Sequence, residues 1–399
     1  MRIGMILDAP FPPDVRVEKE AIALISAGHE LFLFCLDYEG KPQNEVYKGI
    51  NLRRYHASNL DYKLSALAYT VPLYSWSMRR KIRKFIGDCN PEIIHVHDMV
   101  IAEAGFREAR AAGLNVVLDL HENRPAIMRE YPHLKKFPGK ILIDLEVWKR
   151  KQLELVNSAY KCVVVTDLAK QNLLDETSKR SEDIVVLPNT PSIAFGNLPL
   201  DDNIIVRMES TFNLLYVGDT GERRGTADLI QAVAKLSTEI PELRLWIVGK
   251  SSFDGRLKAL TEQLHVKDKI LFEGWQSESL FPSYITGAHI CLSPLRRNIH
   301  HDSTFANKVF QYMAMGKASV VSDSTAQADL IKSEECGLTH LASNVEDLAA
   351  KIMILYRDED LRERMGRKAR EAVSRKWNWE ISSSALIEMY TNLDKVSQP

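Results

Sequence analysis

Short apolar runs alternate with longer amphipathic segments along most of the chain. In the first half, the apolar runs predict strands at residues 3–7, 30–36, 92–96, 115–119, 162–165 and 184–187. In the second half, they predict strands at residues 214–217, 244–248, 270–272, 290–293 and 319–322. Apolar strands separated by helices are typical of parallel sheets covered on both faces. The pattern therefore predicts an α/β protein of two successive βαβ domains, with a cleft at the carboxyl ends of their strands.

The alternation lapses at residues 188–209, where three prolines and a glycine lie close together and helical periodicity is absent. Proline and glycine interrupt regular structure, so this stretch is predicted to be the linker between the domains. We place the N-terminal domain at residues 1–195 and the C-terminal domain at residues 196–376. The final segment, residues 377–399, carries an apolar helical stripe. It is predicted to be a helix that packs back on the first domain.

A polar loop, a helix and a β-branched strand follow one another within residues 303–323. Asn307 and Gln311 lie four positions apart, so they share one face of the first helical turns, where backbone N–H groups are unpaired. Gly316 suits the left-handed position that ends a helix. This arrangement favours an anionic or hydroxyl-rich ligand at the helix start. An ordinary αβ unit with a solvated polar face has the same pattern.

A glycine-rich turn at residues 218–225 follows the predicted strand 214–217 and leads into a helix that begins near Thr226. A strand, such a turn and a helix N-terminus together bind phosphate in many proteins. Arg223 and Arg224 add guanidinium groups suited to phosphate oxygens, and Thr226 is predicted to cap the helix. The alternative is a solvated basic loop. The turn has neither the spacing of the dinucleotide fingerprint nor that of the P-loop.

The segment 63–86 predicts an amphipathic helix, because its apolar residues recur at three- and four-residue intervals. Its basic residues cluster between Arg79 and Lys84. Such a helix could touch anionic lipid beside a membrane-held acceptor. A core-packed helix with a charged outer face has the same pattern.

The composition, with 45% hydrophobic and 26% charged residues, is that of an ordinary soluble protein. A formal net charge of -1 provides no basic field that would drive binding to nucleic acid. The five cysteines form no CxxC pair and are predicted to be reduced, packed thiols. No apolar stretch approaches the roughly 18 residues of a membrane span. We therefore expect a cytoplasmic protein, peripheral at the inner face of the membrane if segment 63–86 contacts lipid.

Several stretches together resemble a known family. In the second half they are residues 216–225, 246–249, 272–275 and 307–317, and in the first half residues 11–16, 26–30, 95–98 and 119–122. In this order they resemble the retaining glycosyltransferases of family 4, over nearly the whole chain. The resemblance implies the GT-B fold, with two Rossmann-like domains facing across a cleft and a C-terminal helix that returns to the first. It also implies a hexosyltransferase-type enzyme that takes its sugar from a nucleoside diphosphate sugar.

The resemblance further assigns roles to individual residues. Arg224 falls where the family grips the donor diphosphate, and Trp275 borders the nucleobase. The helix start at residues 307–311 falls in the donor-ribose and phosphate region, and His121 faces the reacting sugar. Without the resemblance, His121 is a loop histidine that is more often structural than catalytic. The predicted catalytic residues are His121, Arg224 and Lys308. The predicted donor-binding residues are Gly218, Arg223, Arg224, Trp275, Ser303, Asn307, Lys308 and Gln311, and the predicted acceptor-side residues are Arg16, His97, His121 and Glu122.

No cofactor and no metal are expected, because the family uses side chains and helix dipoles in place of a divalent ion. His300 and His301 are adjacent, point in different directions on most backbones and lack a further ligand set, so we expect them near the donor sugar. The expected partners are the nucleotide-sugar donor and a sugar or lipid-linked sugar acceptor, as in the synthesis of cell-surface polysaccharide or glycoconjugate. The base of the nucleotide, uridine or guanosine, stays open.

The chain departs from the family pattern at three places. Asp219 stands where an arginine is usual, so Arg223 is expected to substitute for it. The two glutamates of the family fall on Ser303 and Gln311, and neither is acidic. Residues 8–10 replace the glycine pair that follows the first strand. We expect an active variant, and two alternatives remain: a nucleotide-sugar epimerase on the same fold, and a silent donor-binding partner of another transferase.

Overall fold

In the computed structural model of this protein, residues 1–131, 134, 137 and 139–397 are described. The chain folds into two compact units, residues 1–188 together with the C-terminal segment from Ser383, and residues 189–382. The first change of unit comes earlier in the chain than the predicted boundary after residue 195, and the return to the first unit comes later than residue 377. Residues 398 and 399 of the predicted C-terminal segment lie outside the described residues.

The first unit is built on a largely parallel sheet. Its strands are β1 (Arg2–Ile6), β2 (Glu30–Asp37), β3 (Asn44–Tyr47), β4 (Ile50–His56), β5 (Ile93–His97), β6 (Asn115–Leu120), β7 (Lys161–Val164) and β8 (Ile184–Val186). Over the described residues they lie in the order β3-β4-β2-β1-β5-β6-β7-β8. Each neighbouring pair is parallel except β3 and β4. Every residue of β5 is buried, as expected for a strand covered by helices on both faces.

Helices cover this sheet and connect its strands. They are α1 (Val15–Ser26), α2 (Asn59–Ser65), α3 (Leu73–Cys89), α4 (Ala102–Ala111), α5 (Arg124–Met128), α6 (Gly139–Leu142), α7 (Leu145–Ser158) and α8 (Asp167–Glu176). Helix α1 starts at an Asp14 cap, whose side chain accepts a hydrogen bond from the Val17 amide. One core cluster links the sheet to these helices through residues such as Val96, Leu118 and Phe85.

The second unit, whose residues are all described, has a parallel sheet with helices around it. Its strands are β9 (Phe212–Val217), β10 (Leu243–Val248), β11 (Ile270–Gly274), β12 (Ile290–Ser293), β13 (Ser319–Ser322) and β14 (Gly337–His340), in the order β11-β10-β9-β12-β13-β14. Its helices are α9 (Asp202–Met208), α10 (Thr226–Leu236), α11 (Asp254–Gln263), α12 (Phe281–Gly287), α13 (Ile299–Ser303), α14 (Asn307–Ala314), α15 (Thr325–Ser333), α16 (Val345–Arg357) and α17 (Glu359–Arg375). The predicted parallel α/β class is confirmed in both units.

The last helix, α18 (Trp379–Ser397), packs its later turns on the first unit. Tyr390 is fully buried there, and its hydroxyl lies 2.8 Å from Nδ1 of His95 on β5. The two rings are also stacked, with their centroids 6.1 Å apart. The prediction that a terminal helix returns to the first domain is therefore confirmed.

Three strands were not predicted from the sequence. β3 and β4 form a hairpin whose turn holds Lys48 and Gly49 at φ of 49° and 85°. β4 carries Arg53 and Arg54 and so lacks the apolar run that marks the other strands. β14 lies at the edge of the second sheet, where most of its residues are only partly buried. Edge strands need little apolar surface, and an apolar-run criterion misses them.

Two further predictions about regular structure are wrong. The predicted linker contains α9, which begins at an Asp201 cap that accepts a hydrogen bond from the Asn203 amide. The single helix predicted over 63–86 is instead two helices, α2 and α3, because Pro72 interrupts the segment between them.

The apolar face of α3 belongs to the protein core. Tyr74, Met78, Ile82 and Phe85 are all buried in the cluster that includes the first sheet. The basic face is occupied as well: Arg79 and Arg83 both bond the buried carboxylate of Glu108, and Lys84 pairs with Asp88. The core-packed alternative therefore holds for α3. Among the described helices, none is both long and apolar enough to cross a bilayer. All five cysteines are buried free thiols, as predicted.

Candidate functional site

Three glycine turns lie against one another at the carboxyl ends of β9, β10 and β11. Gly218, at φ 121°, donates its amide to the carbonyl of Val248 at 2.8 Å, and Gly249, at φ 143°, donates to that of Gly274 at 2.7 Å. A Cβ atom at position 249 would lie 1.9 Å from the Gly218 oxygen. Only glycine allows this approach of backbone to backbone. The turn predicted to bind phosphate is thus held in place by its neighbours.

The same turn ends at Gly225, which adopts the left-handed conformation at φ 72° directly before α10. A Cβ atom here would lie 1.9 Å from the carbonyl oxygen of Pro294. The predicted capping role of Thr226 is wrong, because its buried hydroxyl donates to the carbonyl of Thr220 at 2.9 Å. Thr226 therefore stabilises the turn through a bond to Thr220 within it and does not cap the helix.

Lys308 is a buried amine beside this turn. It lies in the first turn of α14, and its Nζ atom is 3.6 Å from the centroid of the Tyr216 ring, a cation–π distance. The Nζ atom would lie 3.2 Å from a Cβ at Gly218 and has no hydrogen-bond partner within the protein. Burial, and then the charge of Arg224, lower the pKa of Lys308 well below its usual value. Buried unpaired amines are costly, so this geometry favours an anionic ligand beside Gly218.

Other basic groups surround Lys308. Nη1 of Arg223 is 3.4 Å from Nε2 of His301, and Nε of Arg224 is buried without a partner. Burial lowers the pKa of His300 to about 3 and that of His301 to about 4, and both arginines add to the effect. Both imidazoles are therefore neutral near pH 7, and Nδ1 of His300 is also buried without a partner. We call Arg223, Arg224, His300, His301 and Lys308 the basic cluster.

The remaining predicted donor residues lie at different depths. Asn307 is exposed at the first turn of α14, and Trp275, on the loop after β11, is 69% exposed. Ser303 is buried, and its hydroxyl donates to the Ile299 carbonyl within α13 at 2.8 Å, so the structure places it at the end of a helix and not on an open surface. Gln311 is nearly buried and donates from Nε2 to Oε1 of Glu278 at 2.7 Å.

In the first unit, a buried network surrounds Asp119 at the end of β6. Its Oδ1 atom is 3.0 Å from Nη2 of Arg16, and its Oδ2 atom is 2.8 Å from Nε2 of His121. His97, at the end of β5, places its Nδ1 atom 3.3 Å from the same Oδ2 atom. Arg16 also pairs with Glu20, four residues later on α1, at 2.9 Å. Two cationic side chains thus converge on one carboxylate.

These contacts fix the protonation of the network. Burial opposes ionisation of Asp119, but Arg16 and His121 outweigh it and hold its pKa well below the usual value. Burial and the charge of Asp119 raise the pKa of Glu20 to about 8. Burial disfavours the charged form of His121, yet Asp119 and Asp98 raise its pKa to about 9. Near pH 7, Asp119 is therefore ionised, Glu20 is protonated and His121 is an imidazolium ion.

His121 is held between two carboxylates. Its Nε2 atom faces Asp119, and its Nδ1 atom is 3.4 Å from Oδ2 of Asp98, while its backbone amide donates to Oδ1 of Asp98 at 3.1 Å. The side chain is 18% exposed. A histidine that donates from both ring nitrogens cannot take up a further proton. The arrangement can therefore stabilise negative charge near His121, but it does not prepare this side chain as a general base.

The other predicted acceptor-side residues are less accessible. Arg16 and His97 are buried behind His121 and contact Asp119, and Glu122 pairs with Arg124 at 2.9 Å. Sequence reasoning missed Glu20 in this network. The four-residue spacing of Arg16 and Glu20 on one helix was a usable signal.

Glu20, His95, His97 and Asp119 place ligand atoms within 4.8 Å of one another, which is a set that a metal ion can use. Arg16, however, already bonds both carboxylates of this set. A divalent ion would have to displace the guanidinium or tolerate its charge. The donor set therefore fits a metal poorly.

The charge on His121 predicts how stability depends on pH. Because its pKa rises from 6.5 to about 9 on folding, its contribution is complete below pH 6.5 and is lost as the pH rises through about 9. We expect the melting temperature of wild type to exceed that of His121→Gln by a margin that shrinks between pH 6.5 and pH 9. Thermal unfolding of both proteins across this range measures the margin, and a constant margin would contradict the assigned charge.

Comparison with known proteins agrees with this geometry. Residues 201–372 match the family described as glycosyl transferases group 1, and residues 15–190 match glycosyltransferase family 4. A phosphatidyl-myo-inositol mannosyltransferase of Mycolicibacterium smegmatis is 24% identical over 98% of this chain and 93% of its own length. An N-acetyl-alpha-D-glucosaminyl L-malate synthase of Bacillus anthracis is 21% identical over 88% of this chain and 86% of its own length.

Solved structures share the fold at low sequence identity. Sucrose-phosphate synthase of Thermosynechococcus elongatus superposes with a TM-score of 0.82 at 17% identity, covering 99% of this chain and 100% of the other. The Anabaena protein HepE, solved in complex with UDP, gives 0.75 at 14% identity, covering 98% and 100%. The names of these relatives do not favour the epimerase or the silent-partner alternative. The chain therefore belongs to the family 4 glycosyltransferases and has the GT-B fold.

Proposed function

We propose that this enzyme transfers a sugar from a nucleoside diphosphate sugar to an acceptor hydroxyl with retention of the anomeric configuration. The transfer proceeds without a divalent ion and serves the synthesis of a cell-surface polysaccharide or glycoconjugate. The second unit binds the donor, and the first unit binds the acceptor.

The observation that carries the proposal is the unpaired amine of Lys308. It lies against Gly218, in the kind of turn that binds phosphate, and Arg224 adds a second buried donor without a partner. Two cationic donors at one glycine turn match the two charges of a diphosphate. The start of α14, whose Ala306 cap makes no side-chain hydrogen bond, adds the positive end of a helix dipole.

The hard step of the reaction is departure of the diphosphate from the anomeric carbon. Positive charge that is already in position stabilises the leaving group as its bond breaks. In the retaining reaction, the departing phosphate oxygen takes the acceptor proton, so no protein base is needed. This fits His121, whose two ring nitrogens both face carboxylates. The imidazolium ion of His121 instead contributes positive charge within the first unit.

Donor binding and the metal-free reaction are tested together. UDP and GDP should each be screened for a rise in melting temperature, because a ligand that binds the folded state stabilises it; UDP comes first because HepE was solved with it. We expect one nucleotide to stabilise the protein equally with and without EDTA. Transfer from the matching nucleotide sugar should also survive EDTA. Loss of both effects in EDTA, restored by added Mg²⁺, would show a metal requirement.

The lipid contact predicted for segment 63–86 is proposed instead for exposed apolar side chains just before this segment and near its middle. Leu60, Tyr62, Leu73 and Trp76 on α2 and the start of α3 are between 50% and 70% exposed. Contiguous patches of exposed apolar side chains mark surfaces that touch membranes or partners. The two helices that carry these side chains are in contact, since the Ser77 hydroxyl of α3 donates to Asp61 of α2 at 2.9 Å. We propose that they hold the enzyme at the inner face of the membrane, beside a lipid-linked acceptor.

Flotation with vesicles that contain anionic lipid tests this contact. We expect wild type to float at low salt, and the double variant Leu73→Ser with Trp76→Ser to remain at the bottom of the gradient. Val206→Ser, at an exposed apolar position of the second unit, is the matched control and should float as wild type does. Equal flotation of all three proteins would exclude this surface.

A further inference from the structure

We propose that Glu278 supplies the carboxylate that binds the ribose diol of the donor nucleotide. The inference rests on the proposed function and specifies part of the same site. The family has a glutamate at the position of Gln311, and the resemblance places the donor ribose there. This chain has an amide at that position and brings a carboxylate to it from the loop after β11.

The contact between the two side chains is direct. Nε2 of Gln311 donates to Oε1 of Glu278 at 2.7 Å. Gln311 is nearly buried, whereas Glu278 is exposed. The bond uses one oxygen of the carboxylate and fixes its orientation. Oε2 of Glu278 then remains as an acceptor for a ligand hydroxyl.

Glu278 lies beside the turns that form the phosphate site. Its loop follows Gly274, whose carbonyl accepts the amide of Gly249, and Gly249 in turn packs against Gly218. On α14, Lys308 and Gln311 are three residues apart and therefore about 4.5 Å apart along the helix axis. A cation for phosphate and a carboxylate for a diol thus lie side by side, in the order in which a nucleoside diphosphate presents these groups.

The loop that carries Glu278 is ordered by its own hydrogen bonds. Nε2 of Gln276 donates to the carbonyl of Glu273 at 2.8 Å, and the Ser277 hydroxyl caps the short helical turn that begins at Glu278. Trp275, on the same loop, exposes its indole and can stack on a base. One loop therefore presents both a surface for the base and an acceptor for the ribose.

The nearby carboxylate of Glu273 cannot take this role. Arg207 donates to both of its oxygens, at 2.6 and 3.1 Å, and the Tyr284 hydroxyl donates to it at 2.7 Å. Asp254, the first residue of α11, holds the phosphate turn itself, because its Oδ1 atom accepts from the Ser251 amide and from the Thr220 hydroxyl. Glu278 differs from Glu273 because its bond to Gln311 engages one oxygen only, and it differs from Asp254 because its partner lies on α14.

The test is selectivity between a ribonucleotide and its 2′,3′-dideoxy analogue. Calorimetry on the full chain should compare UDP or GDP, whichever stabilises the protein more, with the dideoxy form and with pyrophosphate. We expect wild type to bind the ribonucleotide about tenfold more tightly than the dideoxy form, since a site built for a hydroxyl discriminates against its absence. Glu278→Gln should lose this preference and bind pyrophosphate as wild type does.

A rescue variant separates a ligand contact from a structural one. The double variant Glu278→Gln with Gln311→Glu returns a carboxylate to α14 and should regain the preference for ribose. Glu363→Gln, an exposed glutamate of α17, is the matched control and should keep it. If Glu278→Gln retains the wild-type preference, the assignment of Glu278 is overturned while the donor site stands. If wild type binds neither nucleotide nor pyrophosphate, the donor site itself fails and the inference fails with it.

Discussion

Replacing Lys308 by methionine will lower the rate of sugar transfer by about 10²-fold or more, the range seen when one preorganised donor to a developing charge is removed. The Nζ atom lies beside Gly218 and Arg224, where the diphosphate gains charge as it departs. Binding of this anion also favours the protonated amine, which burial otherwise disfavours. The loss should therefore appear in kcat as well as in donor affinity.

The same substitution should leave the free energy of unfolding unchanged or raise it. Methionine fits the buried stem, and it removes a buried polar atom without a partner, which costs about 1–3 kcal/mol in proteins. Lys332→Met, at an exposed position on α15, is the control for the loss of a lysine. Steady-state kinetics and urea unfolding of both variants are the measurements. If the turnover of Lys308→Met stays within about twofold of wild type, Lys308 does not stabilise the leaving group.

Asp119→Asn should have the largest effect on stability. The carboxylate is fully buried between Arg16 and His121, and removing one partner of a buried ion pair costs about 3–5 kcal/mol. Arg16 would remain buried without the carboxylate that balances its charge. Without Asp119, the pKa of His121 should fall. As the pH is raised, the rate of transfer should therefore begin to fall at a lower pH than in wild type.

Chemical unfolding and the pH profile of transfer test the two consequences of Asp119→Asn separately. Glu103→Gln is the matched control, since it removes a carboxylate paired with a largely exposed arginine, Arg107. Such a pair contributes at most about 1 kcal/mol. If Asp119→Asn unfolds no more easily than this control, the network does not hold the first unit together. If the pH profile of transfer is unchanged, the charge of His121 during the reaction does not depend on Asp119.

The features that the sequence predicted are encoded locally. The apolar runs of β5 and β12 require burial on both faces wherever they lie, and the glycines at 218, 225 and 316 have the positive φ that their turns require. Arg224 was predicted from the glycine-rich turn as well as from the family resemblance, and Lys308 from the resemblance. The structure places both side chains at one turn.

The features that were missed depend on residues far apart in the chain. Tyr390 and His95 are 295 positions apart, and Arg16 and Asp119 are 103 positions apart. No local sequence pattern predicts either contact. Glu278 and Gln311 are 33 positions apart. Their contact depends on the order of the strands in the sheet, which cannot be read from the sequence. The hairpin β3–β4 was missed for another reason, because charged residues such as Glu45, Arg53 and Arg54 interrupt its apolar pattern.

The packing of Gly249 on Gly218 has a consequence for engineering this enzyme. A methyl group at position 249 would meet the Gly218 oxygen at 1.9 Å, so the backbones after β9 and β10 cannot move independently. Chimeras that exchange one of these segments with a relative must carry the other segment with it. Donor preference is better altered through the loop after β11, where Trp275 and Glu278 project from the backbone and can be replaced without disturbing that contact.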